Sequence, residues 1–137
     1  MNMKEINTLI NTQVDTMIAK AGMMTLGKLR DVLWDLPVVA EVQFEDGTYP
    51  GVYDSYRGYY HLIAIRPKTE SCNVARFLDI TQAAIGGWFT GYKGGDFIMD
   101  ETTPIWVARW GEASGVGLVG TEMVDGVVTL KTKAILA

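Results

Sequence analysis

Cysteine, histidine and long apolar runs are what this sequence has least of. Its 137 residues include one cysteine, Cys72, and one histidine, His61. A single thiol excludes an internal disulfide and suits a reducing compartment. So few nitrogen and sulfur ligands leave no basis for a zinc site, and neither a metal nor a cofactor is expected. No apolar run reaches the roughly 20 residues that a membrane-crossing helix needs. The first thirty residues carry Asn7, Asn11, Gln13 and Asp15 where a signal peptide would be apolar. The chain is therefore expected in the cytoplasm, without export or membrane attachment. Neither a P-loop nor a dinucleotide glycine fingerprint occurs, which turns expectation away from nucleotide hydrolysis.

Positive charge is also in short supply. Lys and Arg number 12 against 16 Asp and Glu, a net charge of −4. Gripping a long phosphate backbone needs a basic face, so bulk nucleic-acid binding is disfavoured. A small phosphorylated ligand needs only a few local cations, and global acidity does not exclude it. The composition, 48% hydrophobic and 20% charged, is that of a folded chain rather than a disordered one. The length suits one domain, 1–137, able to bury a real core.

Apolar spacing divides the chain into helices first and strands after. Ile6, Ile10, Val14, Met17, Ile18 and Ala21 recur at helical intervals before Gly22. A second helix is expected from an N-cap at Thr25, with Leu26, Leu29, Val32, Leu33 and Leu36 on one face and Pro37 as its stop. A third runs through Val74, Phe77, Leu78, Ala84 and Ile85 to Gly86-Gly87. Strands are expected over Val38 to Phe44 and Tyr59 to Ile65, with Arg66-Pro67-Lys68 as a loop. Five more follow: Trp88 to Thr90, Asp96 to Met99, Ile105 to Trp110, Val116 to Met123 and Val127 to Leu136. Short links between the late strands imply antiparallel pairing. The expected fold is α+β, an antiparallel β-sheet meander packed with two or three α-helices in a single domain. Residues 1–22 form a helical extension to a core domain at 24–137. Two readings of that extension stay open: an appendage packing on a partner subunit, or an ordinary core helix.

Three short segments mix aromatic rings, a cation and glycines: Asp54-Ser55-Tyr56-Arg57-Gly58-Tyr59-Tyr60, Gly91-Tyr92-Lys93-Gly94-Gly95 and Trp106-Val107-Ala108-Arg109-Trp110-Gly111. Rings offer faces on which a base can stack, and Arg or Lys answers phosphate charge. Glycine lets a ligand come close to the backbone and meet its N–H groups. The candidate ligand-binding residues are thus Ser55, Tyr56, Arg57 and Tyr59, then Tyr92 and Lys93, then Trp106 and Arg109. Arg57 is either a phosphate-gripping fork or a surface residue paired with Asp54. Strand alternation puts Trp106, Ala108 and Trp110 on one face and Val107 and Arg109 on the other. One of the two tryptophans is expected in the core and one at the ligand, without the sequence deciding which.

Conventional catalytic groups fare less well, and no catalytic residue is nominated. His61 stands between Tyr60 and Leu62 and reads as a half-buried strand residue. Cys72 precedes a helix, where a thiolate gains stability, but a small hydrophobe there is the plainer account. Asp54, Asp96, Asp100, Glu101 and Glu112 flank the glycine-rich segments and supply material for an acid–base pair. Acidic residues at turns are usually solvated or capping.

The ordered set Met24-Thr25-Leu26-Gly27, Asp54 to Tyr60, Phe89-Thr90-Gly91-Tyr92-Lys93-Gly94-Gly95, Thr103-Pro104-Ile105-Trp106-Val107-Ala108 and Gly111-Glu112-Ala113-Ser114-Gly115 resembles small phage and prophage proteins. In particular it is similar to the first Thoeris anti-defence family, over about residues 24 to 118. Members of that family are molecular sponges: they hold cyclic ADP-ribose isomers made by bacterial TIR-domain immune enzymes without cleaving them. The family is also linked to sequestering cyclic oligonucleotides. The resemblance implies a non-enzymatic binder in the cytoplasm of an infected bacterium, assembled as a homo-oligomer. It implies Trp106 or Tyr92 for stacking on adenine, Arg57 or Arg109 for pyrophosphate, and Ser114 for a sugar contact. Two other classes remain: a small hydrolase using two of the carboxylates, and a protein that inhibits a host protein by direct contact.

Overall fold

A computed structural model describes residues 22–55, 63–90, 96–108 and 115–135. Helix α1 (Leu26–Trp34) starts where the sequence places it. Thr25 is extended and its hydroxyl accepts from the Lys28 N–H at 3.2 Å, satisfying one orphan donor of the first turn. Leu26, Leu29 and Leu33 are buried, with Val32 and Leu36 half-buried beside them. Helix α2 (Val74–Ala84) is capped by Asn73, whose side chain accepts from Arg76 N–H at 2.9 Å. Its next free donors, Val74 and Ala75 N–H, bond the carbonyls of Ala40 and Val38 at 2.9 and 3.1 Å. That use of the backbone shortens the first expected strand: β1 covers only Val42–Phe44.

The other strands are β2 (Tyr49–Ser55), β3 (Ile63–Lys68), β4 (Trp88–Thr90), β5 (Asp96–Ile98), β6 (Ile105–Val107), β7 (Val116–Val124) and β8 (Val127–Ala134). The main sheet has the order β1-β8-β7-β6-β3-β2, and β4-β5 form a separate pair. The α+β class holds, but the antiparallel meander does not. The sheet is mixed, because β1 lies parallel to β8 and β3 parallel to β6. Its antiparallel parts are the successive run β6-β7-β8 and the pair β2-β3. Between β3 and β6 the chain goes away through α2 and the β4-β5 hairpin and returns in the same direction, as a parallel pair requires. The two ends of the strand order, β1 and β2, are joined by a tight turn in which Phe44 N–H donates to the Thr48 carbonyl at 2.7 Å. The sheet is thereby nearly closed.

Two strand assignments change. β2 was not among the expected strands; it contains Pro50, which donates no ladder bond and which an edge strand tolerates. A bulge between Pro50 and Tyr53 absorbs the misfit. A side chain at Gly51 would bring its Cβ within 2.5 Å of the Arg66 carbonyl oxygen, so the close approach of β2 to β3 needs glycine there. Arg66-Pro67-Lys68, expected as a loop, is the end of β3. The Asp125-Gly126 turn is as read: both residues have positive φ, 50° and 79°, the geometry of a two-residue hairpin.

Alternation along β3 and β6 builds two apolar clusters. Ile63, Ile65, Ile105 and Val107 enter the main core with α1, α2, Phe44, Leu118, Val128 and Leu130. Ala64 and Trp106 enter a smaller cluster with Met23, flanked by Ala108 and Ile135. The segment just before α1 is part of this frame. Met24 N–H donates to the Leu118 carbonyl at 2.7 Å, and its own carbonyl accepts from Ile105 N–H at 3.0 Å. Met24 therefore ties β6 to β7 beyond the end of their own short ladder. Inside the main core the Tyr53 ring stacks on Phe77 at 6.2 Å, and its hydroxyl meets the Thr81 hydroxyl at 3.0 Å. Burial pushes the Tyr53 phenol well above its ordinary range. Among the described residues no helix is long and apolar enough to cross a membrane.

Candidate functional site

The second of the three aromatic and glycine-rich segments falls on a link between paired strands, and the first and third run from the ends of β2 and β6 into such links. The first joins β2 to β3, whose last ladder pair is Ser55 with Ile63. The second joins β4 to β5 beyond the pair Thr90 with Asp96. The third joins β6 to β7 beyond the pair Val107 with Val116. Tyr56, Arg57, Tyr59, Tyr92, Lys93, Arg109 and Ser114 lie outside the described residues, as do His61 and Trp110. Ser55 is placed as the last residue of β2.

What the described frame fixes is where each link is anchored. Because β3 and β6 are parallel, with Ile63 beside Ile105, the first link meets the sheet at the start of β6. The third leaves from the other end of β6, where Ala108 N–H bonds the Ile65 carbonyl at 3.0 Å. At about 3.3 Å per residue, the two anchors are roughly 10 Å apart along the strands. The second link is mounted on the separate hairpin, which is fixed by Gly86 N–H to the Met99 carbonyl at 2.7 Å and Met99 N–H to the Gly87 carbonyl at 3.2 Å.

Trp106 requires a correction. Offered as a stacking face, its side chain is 0% exposed and packs with Met23 and Ala64. A ring with no open face gives a base nothing to stack on, so Trp106 belongs to the core. The alternation that placed it with Ala108 and against Val107 is borne out. Two indoles among the described residues do have open faces, Trp34 at 68% and Trp88 at 69%. Sequence reasoning gave Trp88 no weight. It pairs with Ile98, itself exposed, on a two-stranded hairpin that can bury only one face, and Phe89 packs against the core. The pattern Trp88-Phe89 shows that one ring faces in and one out; only the packing decides which.

The carboxylates are engaged in structural contacts where they are described. Asp54 Oδ2 accepts from Arg66 Nε and lies 3.1 Å from its Nη2, an ion pair across the β2-β3 ladder, while the alternative of Arg57 paired with Asp54 falls outside the described residues. Asp100 accepts from Thr102 N–H at 2.8 Å and from the Thr102 hydroxyl at 2.6 Å. Those bonds, the hydroxyl one foremost, hold the Asp100 carboxyl below the usual carboxylate range. An acid kept ionised in this way is a poor proton donor near neutrality. Glu101 is paired with the Arg30 guanidinium of α1. Glu112 lies outside the described residues. Cys72 is buried, and burial pushes its thiol up against the weaker pull of Lys68 and Arg76. The protonated, unreactive form is thus favoured. Among the described residues no group of three or more His, Cys, Asp or Glu side chains is arranged to hold a metal ion.

No family model matches the chain, and no curated protein or solved structure matches it either.

Proposed function

We propose that this chain is a non-catalytic binder that sequesters a nucleotide-derived immune signal, a cyclic ADP-ribose isomer in the first instance. The observation that carries the reading is that the cations and glycines of all three segments fall on links between paired strands. Links on a rigid scaffold are where binding residues concentrate. The resemblance to phage anti-defence sponges supplies the ligand class and the expectation of a homo-oligomer. Arg57 and Arg109 answer the pyrophosphate in this reading, with Lys93 as a third cation. Tyr92 takes the stacking role that buried Trp106 does not. The structural employment of Asp54, Asp100 and Glu101 weighs against the hydrolase alternative.

Purified protein is mixed with cyclic ADP-ribose isomers or cyclic trinucleotides, freed of unbound ligand and heat-denatured. The expected result is release of one of them chemically unchanged. Release of a cleaved product would make the protein a hydrolase. Retention of none of them would overturn the reading. For the ligand that is retained, Arg57→Ala should weaken retention.

A further inference from the structure

No further inference is drawn: the strongest candidate, the open depression of about 660 Å³ at the start of α2 lined by Glu41, Cys72, Asn73, Arg76 and Asp79, rests on a helix N-terminus whose first donors already bond Val38, Ala40 and Asn73 and on a lone buried cysteine, with nothing in the structure that points to a ligand.

Discussion

Replacing Trp106 by alanine separates a core indole from a ligand-stacking one. The side chain is fully buried, with Met23, Ala64, Ala108 and Ile135 around it. A buried indole removes about 150–250 Å² from water, which at about 25 cal/mol per Å² corresponds to about 4–6 kcal/mol. That figure is an upper bound, because the denatured chain already hides part of the surface. Core Trp→Ala substitutions cost about 3–5 kcal/mol, cavity included. Against the typical domain stability of about 5–15 kcal/mol, the loss is a large share of the total. Urea titration followed by far-UV circular dichroism should show a lower midpoint at nearly unchanged slope. The melting temperature should fall by roughly 10 °C or more at this chain length. Trp106→Phe should recover about half, since a smaller ring refills part of the gap. A loss under about 1 kcal/mol, with ligand retention abolished in the folded variant, would refute the core assignment and return the ring to the site.

Further outcomes test the frame around the candidate segments. Thr81→Val should cost about 1–3 kcal/mol by stranding the buried Tyr53 hydroxyl, and Tyr53→Phe in the same chain should restore much of that; an additive double variant in denaturant titrations would deny the coupling. Gly51→Ala should destabilise more than Gly117→Ala. The new Cβ at 51 would meet a backbone carbonyl at 2.5 Å, whereas at 117 it meets side-chain carbons, Ile135 Cγ1 and Met23 Cε, both at 2.9 Å, and side chains shift at less cost than backbone; equal melting shifts would contradict this. Asp100→Asn should lower stability at neutral pH and lose its effect in acid. The folded carboxyl titrates below the unfolded one, so its contribution is present above the unfolded value near pH 4 and disappears as pH falls through the folded one. A stability gap that persists unchanged at pH 2 would mean that the charge plays no part.

By itself the sequence determined the elements whose causes are local. Thr25 and Pro37 bracket α1, Asn73 and the spacing of Val74, Phe77 and Ala84 define α2, and Asp125-Gly126 turns β7 into β8. Capping, helical spacing and positive φ act over a few residues, so a few residues reveal them. The same locality made the three candidate segments visible as chemistry. Tertiary structure decided everything that depends on distant partners. The parallel pairing of β1 with β8 joins the two ends of the sheet's sequence, and no short-range pattern encodes it. β2 survives its proline and glycine because it lies at the end of the strand order, a position only the finished sheet assigns. Trp106 and Trp88 carry the same side chain in strands of the same length, yet one is sealed and the other open. Alternation fixes which residues share a face, while burial depends on what other parts of the chain are laid against that face.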